Sequence, residues 1–97
     1  MTTKRLGGQT AALASQPCIV SYASAAGKKE SEGPLAASFD ILRQDDAFGE
    51  KSWEKSESAL QRLALAAALD KAGLAAADLD VIFAGDLLNQ CIGTGFA

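Results

Sequence analysis

Residues 81–84 read Val-Ile-Phe-Ala, an unbroken apolar run with two β-branched residues and one aromatic residue. This composition predicts a short strand that is buried on both faces, as in a parallel sheet. Gly85 allows a tight turn after the strand, and Asp86, Asn89 and Gln90 follow directly. Because ligands of open α/β sheets lie beyond the carboxyl ends of the strands, this polar cluster is a candidate binding site.

The stretch before that strand predicts a long helix over residues 52–72. Ser52 is a suitable N-cap, and Gly73 is a suitable C-terminal stop. One helix face carries Trp53, Leu60, Leu63, Ala64 and Ala67, and the other carries Glu54, Glu57, Ser58, Gln61 and Arg62. All seven residues from 63 to 69 are apolar, which predicts burial on more than one side. Trp53 is therefore expected in the core or at the mouth of a pocket.

Residues 18–24 predict the first core strand, and residues 11–14 predict a shorter strand. With the helix and the strand at 81–84, they form a strand, loop, helix, strand unit of the α/β class, with a parallel crossover. The long connection at residues 25–49 has two open interpretations. It is either a solvated loop with a short helix at residues 35–42, or the mouth of a ligand pocket.

Composition and charge exclude several functions. The 97-residue chain has a net charge of -3 and no basic stripe, which argues against nucleic-acid binding. No apolar run is long enough to span a bilayer or to serve as a signal peptide. Cys18 and Cys91 lack metal-site spacing and are expected to be buried free thiols. The chain contains no histidine, so we predict no catalytic residue, metal site or cofactor within it.

Three segments, in the right order, bring a family resemblance that spans nearly the whole chain. They are Glu32-Gly33-Pro34-Leu35 with Phe39-Asp40, Lys51-Ser52-Trp53-Glu54, and Gly85-Asp86-Leu87-Leu88-Asn89-Gln90 after Asp78-Leu79-Asp80. In these segments the chain resembles the stage V sporulation protein AD family of spore-forming bacteria. The resemblance implies a thiolase-like fold, related to ketoacyl synthase III enzymes, of which residues 1–97 would form the incomplete N-terminal part. A helix beginning near Leu88 would then be the last element.

The resemblance also implies a function, namely binding of dipicolinic acid and its uptake into the developing spore. A thiolase-like acyltransferase or condensing enzyme is the alternative for the whole protein, although its reactive cysteine would lie beyond Ala97 and not at Cys91. A fragment without activity is the expectation for the isolated residues. The implied partners are dipicolinic acid, free or as its calcium complex, and other proteins of the stage V sporulation A operon. A homodimer of the full-length protein is also compatible with the resemblance.

The candidate ligand-binding residues are Asn89, Gln90, Lys29 and Asp86. Lys29 is chosen by the family match as the cation for an acidic ligand. Asp86 has two interpretations, because a bare carboxylate repels a dianion unless a cation such as calcium bridges them. The preferred interpretation is that Asp86 caps a helix starting at Leu87 and accepts hydrogen bonds from the amides of Leu88 or Asn89. The expected location is the cytoplasm or the surface of the forespore or spore inner membrane, without a membrane-spanning segment.

Overall fold

A computed structural model describes residues 3–87 and 92–97 of the chain. It contains both strands and helices, as expected for the α/β class. The elements in order are β1 (Thr3–Arg5), β2 (Ala11–Leu13), β3 (Ala25–Ala26), α1 (Lys28–Ser31), a 3₁₀ turn (Ala36–Ser38), β4 (Ile41–Leu42), α2 (Trp53–Ala72), a second 3₁₀ turn (Ala76–Asp78) and α3 (Ile92–Phe96).

The strands form two small, separate sheets. β1 and β2 pair as an antiparallel hairpin, with Lys4 opposite Ala12. The short strand predicted at residues 11–14 is confirmed by β2. β3 and β4 pair in parallel, with Ala25 opposite Ile41. The long connection at residues 25–49 therefore has structure of its own, and the helix predicted at residues 35–42 is reduced to one 3₁₀ turn followed by β4.

Helix α2 is confirmed almost to the residue, because its end signals are local. The hydroxyl of Ser52 accepts a hydrogen bond from the amide of Lys55 at 3.2 Å, which satisfies one of the free amides of the first turn. Gly73 ends the helix in the left-handed conformation with a φ of 70°, which residues with a Cβ adopt only with strain. The helix thus spans 20 residues, or about 30 Å.

The prediction about the faces of α2 is wrong in part. The buried side chains of the helix are Ser56 and Ser58, whereas Trp53 is 63% exposed and Leu65 is 39% exposed. The serines are buried because their hydroxyls bond to backbone carbonyls of neighbouring segments, Ser56 to Ala47 and Ser58 to Gly93. The polar face of α2 is therefore the one that packs against α3, and the expected apolar burial on several sides is absent from the described residues.

The prediction of core strands at residues 18–24 and 81–84 is also wrong. Neither residues 18–24 nor residues 81–84 form a ladder with any described residue. Their apolar side chains lie in solvent, with Ile19 at 86% and Phe83 at 91% exposure. Cys18 is exposed as well, contrary to its predicted burial, and Cys91 lies outside the described residues. A strand needs backbone partners along its length, whereas among the described residues of these two segments only the carbonyl of Ser24 accepts backbone amides, those of Asp40 and Ile41.

Even so, both segments run along α2 in the direction that a parallel crossover requires. The hydroxyl of Ser21 bonds to the carbonyl of Ala68 near the end of the helix, and the chain then passes through β3 towards residues 46 and 47 at the start of the helix. The second segment leaves the helix end after Gly73 and reaches Gln61, whose amide bonds to the carbonyl of Gly85. Both segments are thus antiparallel to α2 and parallel to each other.

A polar clasp joins the first segment to the end of α2. The ammonium of Lys71 lies 2.6 Å from the carboxylate of Asp40 and 3.1 Å from the carbonyl of Tyr22, and it sits 5.5 Å from the centre of the Tyr22 ring. The other oxygen of Asp40 accepts the amide of Ser24 at 2.8 Å. The hydrogen bond from Lys71, and next the amide of Ser24, lower the pKa of the Asp40 carboxyl below its ordinary value.

We expect Lys71→Met to raise the pKa of Asp40, measured by carbon NMR of the side chain in the full-length protein. The pKa of Asp45, which is lowered by the amides of Ala47 and Gly49, serves as the internal control and should not move. Because the folded-state pKa of Asp40 is lowered, its stabilising contribution is present above the unfolded pKa of about 3.9 and is lost as pH falls through the folded value. If the pKa of Asp40 is the same in the variant as in the parent, Lys71 does not form this ion pair with Asp40.

Among the residues that the structure describes, no helix is both long and apolar enough to cross a bilayer.

Candidate functional site

The loop that follows the 81–84 segment is held against the middle of α2. The side-chain amide of Gln61 donates to the carbonyl of Gly85 at 3.3 Å, and the carboxylate of Glu57 accepts the amide of Leu87 at 2.9 Å. Glu57 and Gln61 are one helical turn apart, so they project from the same face of α2. The polar loop is therefore positioned by side chains of the helix and not by a sheet.

The same face of α2 also holds α3. The buried hydroxyl of Ser58 donates to the carbonyl of Gly93 at 2.6 Å, and Gln61 reaches the hydroxyl of Thr94 at 3.3 Å. A Cβ atom at Gly93 would lie only 3.1 Å from the side chain of Glu57. Glycine at position 93 thus permits the close approach of the two helices.

Asp86 links the loop to α3. Its carboxylate accepts the amide of Thr94, the third residue of α3, at 3.0 Å. A helix start at Leu87 is wrong, since Leu87 lies in a bend and α3 is assigned from Ile92. The predicted amide partners, Leu88 and Asn89, lie outside the described residues. The carboxylate nevertheless does what a capping group does, because it satisfies a first-turn amide and places negative charge at the positive end of the helix.

The predicted ligand-binding residues are not brought together within the described part of the chain. Asn89 and Gln90 lie outside the described residues. Lys29 is exposed on α1, an element that packs on β3 and β4, whereas Asp86 lies between α2 and α3.

The surroundings of Asp86 are acidic. Asp86 and Glu57 both line a cavity of about 400 Å³. Two carboxylates on one cavity repel an anionic ligand unless a cation lies between them. Within residues 3–87 and 92–97, no three groups of the metal-ligating type lie close enough to hold such a cation.

A groove of different chemistry lies on another side of α2. It has a volume of about 440 Å³ and is lined by Arg43, Phe48, Ala59, Arg62, Leu63 and Ala66. The lining thus combines two arginines and one aromatic residue with apolar helix residues, and none of its described residues carries a carboxylate. We call this the arginine groove. Sequence reasoning missed it because Arg43 and Arg62 are far apart in the chain and belong to no spaced motif.

A tight turn holds Phe48 at the arginine groove. The carboxylate of Asp45 accepts the amides of Ala47 at 2.8 Å and Gly49 at 3.1 Å. These bonds enclose Phe48, whose φ of 51° is left-handed and therefore strained for a residue with a bulky side chain. The amides of Ala47 and then of Gly49 lower the pKa of the Asp45 carboxyl, so it accepts these bonds as an anion at neutral pH.

The fold and the site together define an α/β unit in which one long helix is flanked by two parallel apolar segments, with a polar loop at the end of the second. Residues 7–97 match the model of the family described as Stage V sporulation protein AD. The chain belongs to the stage V sporulation protein AD family. Stage V sporulation protein AD of Bacillus subtilis (strain 168) is 38% identical over 93 residues. The match covers 95% of this chain and 28% of that protein, so the chain spans little more than a quarter of its relative's length.

Proposed function

We propose that these residues are the N-terminal part of a spore-formation protein that binds dipicolinic acid and supports its uptake into the developing spore. The observation that carries the proposal is the match of residues 7–97 to the stage V sporulation protein AD family. The proposal includes a thiolase-like fold for the full-length protein. The parallel course of the two apolar segments along α2 supports that fold, since a crossover unit of this kind needs parallel strands.

Within this chain, we propose that Asn89 and Gln90 face the ligand and that Lys29 contributes a cation. Asp86 is proposed to act as a cap, and it meets dipicolinic acid only if calcium bridges the two. The support for the cap is the hydrogen bond from the amide of Thr94, which engages one carboxylate oxygen of Asp86. A ligand carrying two carboxylates would otherwise meet both Asp86 and Glu57 at this cavity.

The partners and the location follow from the same family membership. We propose that the full-length protein works with other proteins of the stage V sporulation A operon, in the cytoplasm or on the surface of the forespore or spore inner membrane. It is also proposed to form a homodimer. Co-purification from sporulating cells would test the operon partners, and sedimentation of the purified full-length protein would test the dimer.

The experiment for the function is calorimetry with dipicolinic acid, with and without calcium. We expect the full-length protein to bind the ligand and the 97-residue chain not to bind it, because most of the length of the relative is missing from the short chain. Equal heats for the two proteins would contradict the proposal. Binding of acyl-coenzyme A without binding of dipicolinic acid would favour the acyltransferase alternative instead.

A further inference from the structure

We propose that the hairpin of β1 and β2 docks the full-length protein on an anionic lipid surface, with the turn at residues 7–9 entering the headgroup layer first. The inference rests on the membrane location that is part of the proposed function, and it adds the surface that makes the contact. The hairpin is accessible for this role, since residues 4–11 are all exposed.

The distribution of charge along the chain is the first reason. The first 29 residues contain four cationic side chains and no acidic one, whereas the rest of the chain carries five cations and all 12 acidic side chains. Lys4 and Arg5 lie on β1, and neither forms an ion pair with a described residue. An anionic surface therefore attracts the hairpin and repels the acidic remainder, which turns the hairpin towards the lipid.

The placement of the two cations favours a lipid surface over an acidic protein. Successive residues of a strand point to opposite faces, so Lys4 and Arg5 lie on opposite faces of the two-stranded ribbon. A partner protein offers its surface to one face of such a ribbon. A headgroup layer instead surrounds a ribbon that enters it from the end, and phosphate groups then lie beside both faces.

The turn of the hairpin supplies an apolar contact. Leu6 follows β1 directly and is 52% exposed, and its amide closes the turn by donating to the carbonyl of Thr10 at 2.6 Å. The guanidinium of Arg5 donates to the carbonyl of Gly8 at 3.0 Å and keeps its other N–H groups for phosphate. An aliphatic side chain beside the turn, with long cationic side chains further from it, matches the boundary between acyl chains and headgroups.

Other exposed apolar side chains of the described residues fit a lipid surface less well. Trp53 is 63% exposed, but residues 50–56 contain two glutamates and two lysines, so that surface has no net charge. The apolar side chains of residues 18–24 and 81–84 are also exposed, but the proposed thiolase-like fold uses these segments as strands. The hairpin combines exposed apolar surface with positive charge and contains no carboxylate.

Co-sedimentation of the full-length protein with lipid vesicles tests the inference. We expect binding to vesicles of phosphatidylglycerol and phosphatidylcholine in equal amounts, and no binding to phosphatidylcholine alone. Lys4→Gln and Arg5→Gln should each weaken binding about fivefold, the factor that corresponds to one cation near an anionic surface. Lys51→Gln is the matched control, because it removes the same charge from the residue before the N-cap of α2 and should change binding less than about twofold.

The apolar contact has a matched pair of variants within the hairpin. Leu6→Ser should weaken vesicle binding about tenfold, because it removes the side chain that enters the lipid. Leu13→Ser makes the same substitution at the end of the hairpin away from the turn, opposite Thr3, and should change binding less than about twofold. If the hairpin variants all bind anionic vesicles like the parent, the inference is wrong.

Amide hydrogen exchange of the unmodified protein gives a second measurement that does not depend on a variant folding. Anionic vesicles should slow exchange at residues 6–10 and leave residues 74–80, after α2, unchanged. Equal exchange at residues 6–10 with and without vesicles would overturn the inference. A full-length protein that binds dipicolinic acid but no anionic vesicle overturns the docking hairpin alone. One that binds vesicles through the hairpin but not dipicolinic acid overturns the proposed ligand and leaves the docking hairpin standing.

Discussion

The isolated 97-residue chain is expected to unfold without a cooperative transition in a thermal or urea melt. The physical reason is the shortage of buried apolar surface. Among the described residues, Ala26 is the one buried hydrophobic residue, and no side chain is fully buried. Ordering the backbone costs about 1–2 kcal/mol per residue, and burial of apolar side chains is the main term that offsets this cost.

The dimensions of the chain support this expectation. Its accessible surface is 7671 Å², whereas a folded monomer of this mass exposes about 5,200 Å². Its radius of gyration is 16.2 Å, compared with about 13 Å for a compact domain of 100 residues. The excess surface includes Ile19, Val20, Val81, Ile82 and Phe83, the side chains of the two segments that were predicted to be core strands.

The measurement is a pair of melts, one of the 97-residue chain and one of the full-length protein, followed by circular dichroism at the helix wavelength. The full-length protein should melt in one sharp transition, and the short chain should lose its helix signal gradually. A sharp melt of the short chain, together with a single well-dispersed amide NMR spectrum, would contradict the expectation. Concentration dependence of the melt should be checked, because self-association of the exposed apolar segments can mimic cooperative folding.

Helix α2 could be predicted from sequence because everything that defines it lies within the helix or one residue from it. Ser52 and Gly73 mark its ends, and both act through hydrogen bonds to residues three or four positions away. The two core strands could not be predicted with the same success. Their apolar, β-branched composition indicates a buried strand, but a strand exists only where another segment accepts and donates its backbone hydrogen bonds.

The candidate site shows the same division between local and distant signals. That the carboxylate of Asp86 accepts a helix amide could be predicted, because an aspartate after a glycine turn is typical of a helix start. Its partner could not, since Thr94 is eight residues away and is brought near by Ser58 and Gln61. The arginine groove was beyond sequence reasoning altogether. Arg43 and Arg62 line the same groove, and no spacing in the sequence expresses that.

Substitution of Asp86 is also expected to change the stability of the protein strongly. Two substitutions at this position separate a structural role of the side chain from a role in ligand binding. Asp86→Ala removes the acceptor for the amide of Thr94, so we expect it to lower the free energy of unfolding by about 1–2 kcal/mol. Asp86→Asn keeps an acceptor oxygen, and asparagine is also a good capping residue. This variant should therefore lower the free energy of unfolding by only about a few tenths of a kcal/mol. Asp80→Ala is the control, because exposed Asp80 forms no hydrogen bond or ion pair with another described residue and its loss removes the same charge.

Urea unfolding and dipicolinic acid binding should be measured on each variant of the full-length protein. If Asp86 is a cap, Asp86→Asn keeps both the stability and the affinity of the parent, and Asp86→Ala loses stability first. Its affinity then falls only as far as α3 and the polar loop lose their positions. If Asp86→Asn melts like the parent but loses dipicolinic acid, or loses only its calcium-dependent binding, then the capping explanation is wrong. In that case the carboxylate charge itself contributes to the site, which calcium bridging between Asp86 and the ligand would explain.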